Sequence, residues 1–84
     1  MKTFCVKVVV KLKPSVPDSK GESLKNTIES LFLVQNLTCR VGTWYNFKFD
    51  AENQADALNL VKKIAYELLT NEFAEDFEIR SMEE

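Results

Sequence analysis

Histidine is missing from this 84-residue chain, and with it the side chain that most often shuttles protons or holds metals near neutral pH. The two cysteines, Cys5 and Cys39, share no CxxC or metal-ligand spacing, so neither a redox pair nor a zinc site is spelled out. With no signal-like segment ahead of the first strand they read as buried thiols of a reducing compartment. Two glycines and two prolines leave no linker or disordered tail. No Gly-rich loop follows a strand to cradle phosphate, and no serine sits in a nucleophile elbow. No apolar run reaches the roughly 18 residues that span a bilayer, so a soluble, cytoplasmic protein is expected. A net charge of −2 and a pI near 5.2 offer no basic face for nucleic acid. Glu75 and Asp76 are a carboxylate pair in sequence, but neighbours on a strand point to opposite faces and do not converge on one substrate. These absences exclude the usual single-chain enzymes: no catalytic, cofactor-binding or metal-binding residue is assigned.

Against that background, 45% hydrophobic and 29% charged residues describe an ordinary folded domain spanning 1–84. A chain this short buries only about 60% of its unfolded surface, so a partner is expected to complete its core. Phe4, Val6, Val8, Val10 and Leu12 alternate with Cys5, Lys7, Val9, Lys11 and Lys13, giving a strand with one apolar and one half-basic face, closed by Pro14 and Pro17. Asp18 or Ser19 caps the next helix, with Ser19 and Glu22 spaced as a capping box and Gly21 in its first turn. Its stripe of Leu24, Ile28, Leu31 and Phe32 is expected to face the sheet, with Leu33 and Val34 as surplus apolar surface. A second helix starts at Asn53 and Asp56, carries Ala57, Leu58, Val61, Ile64, Ala65, Leu68 and Leu69 on one stripe, and ends at Asn71. Phe73, Phe77 and Ile79 alternate with Asp76, Glu78 and Arg80 as a short closing strand before the acidic end Met82-Glu83-Glu84.

The stretch between the helices, residues 37–50, keeps strict alternation: Leu37, Cys39, Val41, Tyr45, Phe47 and Phe49 on one face, Arg40, Trp44, Asn46, Lys48 and Asp50 on the other. Gly42 sits in its middle. A hairpin looping through Gly42-Thr43-Trp44 and one continuous strand bent at Gly42 both fit. A continuous strand would be roughly 46 Å long, more than a domain of this size can pair. It would commit the second half of the chain to pack on another copy, leaving Leu58, Val61, Ile64 and Leu68 bare in a lone chain. The expected fold is α+β: an antiparallel sheet with two helices on one face, in the order β-α-β(long, bent at Gly42)-α-β, a ferredoxin-like variant that forms a segment-swapped dimer. Arg40 and Trp44, on the less apolar face, are candidate interface residues, because Arg and aromatic side chains are enriched at subunit contacts.

Three segments of the chain resemble the PurS family, the small subunit of phosphoribosylformylglycinamidine (FGAM) synthase. The family's valine-rich strand ending in Leu-Lys and followed by Val-x-Asp-Pro-x-Gly is matched by Leu12-Lys13, Val16, Asp18 and Gly21. Its Val-Arg-x-Gly-Lys is matched by Cys39-Arg40-Val41-Gly42-Thr43, and its Leu-Leu-x-Asn with a following Glu-Asp-aromatic by Leu68-Leu69-Thr70-Asn71 and Glu75-Asp76-Phe77. Departures are Ser19 for the proline, Phe32 where glycine is usual, and Thr43 for the lysine, so no role carries over to Thr43. The resemblance implies a non-catalytic assembly subunit that bridges PurL, which uses ATP and Mg²⁺, and PurQ, the glutaminase that releases ammonia; the over-long strand adds the expectation of a homodimer, extending to a tetramer. Within it Arg40, Gly42, Trp44, Leu68, Leu69 and Asn71 are the candidate subunit-interface residues. No cofactor is expected on this subunit itself. The rival reading is a ferredoxin-like dimeric regulatory or ligand-sensing module, which would want exposed backbone donors after the first strand, where Pro14-Ser15-Val16-Pro17 supplies few. An acyl-phosphate hydrolase on the same topology would want an arginine in a phosphate loop, whereas Arg40 falls within the strand-like stretch.

Overall fold

Residue alternation in the first dozen positions places four side chains, Phe4, Val6, Val8 and Val10, at 2% exposure or less, and the strand that carries them is the middle of the sheet. The computed structural model describes residues 1–84. It comprises β1 (Lys2–Leu12), α1 (Ser19–Phe32), β2 (Gly42–Ala51), α2 (Gln54–Ile64) running into a π-helical turn (Ala65–Leu69), and β3 (Glu75–Glu83). The strands form one antiparallel sheet in the order β2-β1-β3. The expected β-α-β-α-β order and antiparallel sheet are therefore present. The organising strand is β1, however, and not the stretch after α1.

Neither geometry foreseen for residues 37–50 occurs as written. There is no hairpin at Gly42: β2 is a single ten-residue strand that starts there and pairs with β1 from Gly42↔Lys11 to Ala51↔Lys2. Residues 37–41 are not part of the strand. The physical reason is the end of their neighbour: β1 stops at Leu12 and Pro14 follows, so the ladder has nothing to continue on. The alternation still governs burial beyond the strand, since Leu37, Cys39 and Val41 are half-buried while Thr38 and Arg40 are exposed. Gly42 allows the close approach of the two strands at this end, because a Cβ there would lie 2.9 Å from the Val10 carbonyl oxygen.

On β3 a bulge resets the pattern. Val8 pairs with Ile79 and Lys7 with Ser81, which leaves Arg80 as the extra residue and returns Met82 to the apolar face beside Val6, where it packs on the core. The closing strand is thus longer than expected, and it takes in Met82 and Glu83 but not Phe73, which lies in the preceding turn at 85% exposure.

One face of the sheet is covered by α2. Asn53 caps this helix by accepting the Asp56 N–H at 2.9 Å. Ala57, Val61 and Ala65 are its buried residues, with Val61 and Ala65 against Val6, Val8 and Val10, and Ala57 against Phe4 and Ala51. Val61 is thus buried within its own chain, so the expectation that α2 depends on a partner's sheet does not hold. The spacing of four from 57 to 69 drifts around an α-helix. The π-helical turn rotates the chain less per residue and brings Leu69 back onto the core, while Leu68 is left 79% exposed.

The larger departure is α1. Its only buried residue is Gly21, and its apolar stripe does not lie on the sheet, so within one chain the sheet has one covering helix instead of two. The shape records this: the radius of gyration is 16.5 Å and the long axis 52 Å, where a compact chain of this length has a radius near 12 Å.

Candidate subunit interface

Two incomplete surfaces stand on the same chain. The first is α1 and its exit: Leu31 and Phe32 are each 70% exposed, Leu33 87%, and Leu24 and Val34 are also exposed. Leu33 closes the helix in the left-handed region at φ 55°, a conformation that glycine adopts freely and a leucine only at a steric cost. The second is the sheet face under α2, where both edge strands keep partial exposure: Phe77, Ile79 and Met82 on β3 are half-buried, and so is a row of aromatics on the edge strand β2. Tyr45, Phe47 and Phe49 are only half-buried there, with the Tyr45 and Phe47 rings stacked at a centroid distance of 6.0 Å. A helix without a sheet and an aromatic row without a second helix are complementary in chemistry.

The base of the α1 arm is fixed by polar contacts that tie both of its connections together. Asp18, buried, is the N-cap: its carboxylate accepts the Gly21 N–H at 2.8 Å and also the Val41 N–H, across the arm, at 2.7 Å. The Arg40 guanidinium donates to the carbonyls of Lys13 and Val16 at 2.9 and 2.8 Å. Gly21 lies directly beneath the Cys39 carbonyl. The two backbone N–H groups, Val41 first and Gly21 second, hold the Asp18 carboxyl below its ordinary value against the opposing effect of burial, and the charge of Arg40 acts in the same direction. A depressed native pKa stabilises the fold fully above the unfolded value near 3.8 and loses that contribution as pH falls through the native value. Acid unfolding below about pH 4 should therefore be less steep in Asp18→Asn than in the parent chain, as read from stability against pH. Parallel curves would show that Asp18 does not control this step.

The remaining candidates are spread over the molecule. Trp44 is 55% exposed on the open sheet face, its Nε1 donating to Asn46 Oδ1 at 2.8 Å and its ring lying 6.0 Å from Lys7 Nζ. Arg40 and Gly42 flank the base of the arm. Leu68, Leu69 and Asn71 lie at the opposite junction, between α2 and β3, where Asn71 accepts the Phe73 N–H on its side chain and the Ala74 and Glu75 N–H groups on its carbonyl. The structure therefore gathers the six residues at three places and not one. Sequence reasoning missed Asp18 as the link between the arm's two ends, because a cap residue reads only forward into its own helix. It also missed that Cys5, expected to be buried, is exposed on the open face.

Titratable groups do not converge. Asp18 is committed to backbone donors, and Tyr66, whose pKa is raised because its hydroxyl donates to Glu72 at 2.9 Å, stands on the surface. No three His, Cys, Asp or Glu side chains form a metal-holding group, and no helix is long and apolar enough to cross a membrane.

The model of the family "PurS: Phosphoribosylformylglycinamidine (FGAM) synthase" matches residues 5–83. The chain belongs to the PurS family. Among PurS relatives, the phosphoribosylformylglycinamidine synthase subunit PurS of Thermotoga maritima is 28% identical over 82 residues, 98% of this chain and 100% of the relative. The solved structure of PurLQS from Thermotoga maritima superposes with a TM-score of 0.88 at 29% identity, covering 95% of this chain and 98% of the matched one. PurS of Thermus thermophilus has the same fold, with a TM-score of 0.88 at 23% identity over 99% and 98% of the two chains. The PurS fold thus extends to the detached α1 arm, which lies within the superposed length.

Proposed function

We propose that this chain is a non-catalytic assembly subunit of an FGAM synthase. It joins a PurL-type synthetase, which would hold ATP and Mg²⁺, to a PurQ-type glutaminase, in the cytoplasm, so that ammonia passes between them. The observation that carries this reading is the helix α1, of fourteen residues with only Gly21 buried, in a chain whose family match spans nearly its whole length. Such a surface serves assembly, and no group of side chains nearby is arranged for chemistry. Two copies complete each other when the α1 stripe of one covers Tyr45, Phe47 and Phe49 of the other, a reciprocal exchange closed by a two-fold axis. Pairing of two such dimers through their open faces would extend this to a tetramer. A ligand-sensing role is disfavoured by the β1–α1 loop, where Pro14 and Pro17 have no N–H and those of Lys13 and Val16 are taken by the Ala74 and Lys13 carbonyls at 2.8 and 2.9 Å.

The test uses this chain together with the PurL-type and PurQ-type subunits of its own source. A stable ternary complex and glutamine-dependent FGAM formation are expected only when all three are present, with no turnover by the chain alone. Turnover by the isolated chain would overturn the proposal, and so would full glutamine-dependent activity in its absence. Trp44→Ala, which spares the Arg40 clamp, is expected to weaken assembly about 30-fold, the effect of losing one aromatic anchor of about 2 kcal/mol. Unchanged co-elution would place Trp44 outside the contact.

A further inference from the structure

The π-helical turn and its connection to β3 carry two of the most exposed large apolar side chains of the molecule, Leu68 at 79% and Phe73 at 85%. This surface is separate from α1 and from the aromatic row on β2, so the reciprocal exchange does not account for it. It is also held firmly. Asn71 takes the N–H groups of Phe73, Ala74 and Glu75 at 3.0, 3.0 and 2.7 Å, Glu75 takes the Asn71 N–H at 2.9 Å, and the Tyr66 hydroxyl ties to Glu72 at 2.9 Å. A fixed turn presents Phe73 in one place, and preorganisation of this kind lowers the ordering cost of binding.

Charge identifies the partner. Residues 66–76 contain Glu67, Glu72, Glu75 and Asp76 and no lysine or arginine. Lys11 lies beside them, opposite Asp76 and 3.7 Å from Glu78, but the acids outnumber it, so a contact that set this turn of one copy against the same turn of another would be repulsive. We infer that Leu68 and Phe73, with the acids around them, form a docking knob for a heterologous protein subunit that offers an apolar socket edged by lysine or arginine. The inference rests on the assembly role proposed above and gives that role one of the two heterologous surfaces that bridging requires.

Two variants test it, Leu68→Ser with Phe73→Ser, and Glu67→Lys with Asp76→Lys. Self-association of each is measured by sedimentation, and affinity for the cognate PurL-type and PurQ-type subunits by titration at low and high ionic strength. Both variants are expected to self-associate like the parent and to lose about tenfold or more in affinity for one of the two subunits. The charge-reversed pair should lose more at low ionic strength, where screening is weaker. Parent-like affinity in both variants would overturn the inference while leaving the assembly role intact, and so would loss of self-association in the charge-reversed pair. A parent chain that binds neither subunit would remove the assembly role and the knob together. Because Leu68 and Phe73 lie outside the core, misfolding of the serine variant is not expected, and the charge-reversed pair decides the matter if it occurs.

Discussion

Leu31→Asp combined with Phe32→Asp is expected to convert the proposed homodimer into a monomer and to abolish the rise of its unfolding midpoint with concentration. Both side chains are 70% exposed on a lone copy, so the substitutions remove nothing from the core of their own chain. Covering a leucine or phenylalanine is worth about 1.5 to 3 kcal/mol, so the pair contributes about 3 to 6 kcal/mol per arm, and a two-fold exchange counts it twice. That sum is comparable with the whole stability of a small domain, about 5 to 15 kcal/mol, which is why dimer and fold should melt together in the parent chain. The charged variant should retain β1, α2 and the sheet, because Val61 and Ala65 are buried by their own chain. Its far-UV signal should persist at low temperature while its sedimentation coefficient falls to that of a monomer. A dimer of parent-like affinity would show that the arm is not the contact.

How far the fold could be read from the residues depends on whether the deciding interaction was local. The alternation of Phe4 to Leu12, the Asn53 cap and the stripe of Ala57, Val61 and Ala65 are local patterns, and each produced the element it implied. Three features were illegible because they depend on something outside the pattern. Strand β2 starts at Gly42 although the alternation begins at Leu37, since pairing ends where the neighbouring strand ends. Met82 reaches the core face only because a bulge at Arg80 shifts the register by one, which a period of two read along one strand cannot show. The apolar stripe of α1 was read as facing a sheet, and hydrophobic periodicity is satisfied equally by a sheet in the same chain or in another. For the interface, residue type pointed to Trp44 and Arg40. The structure adds that Arg40 is engaged with Lys13 and Val16 within the chain, so its substitution would disturb the base of the arm as well as any contact.

Gly21→Ala is expected to destabilise the protein, which is the reverse of what a glycine-to-alanine change does in most helices. Alanine is favoured over glycine by about 0.8 to 1.0 kcal/mol inside a helix, and Gly21 is the third residue of α1, so propensity alone would make the variant more stable. Packing decides otherwise. A Cβ at this position would press into the backbone carbonyl of Cys39 and come within 2.9 Å of Asp18 Oδ2. The carboxylate is held by two backbone N–H groups, and the carbonyl belongs to the segment that carries Arg40 and Val41, so neither can yield without breaking bonds at the base of the arm. Overpacking against such fixed neighbours costs about 1 to 3 kcal/mol, enough to reverse the sign. The loss should be read as a lower midpoint in urea, with faster amide exchange at Val41 and at residue 21 than in the parent chain. Dimer affinity should fall as well, because the arm's direction is set at this point. A midpoint equal to or above that of the parent would mean that the Cys39 carbonyl moves aside freely and that the arm is not held rigid at its base.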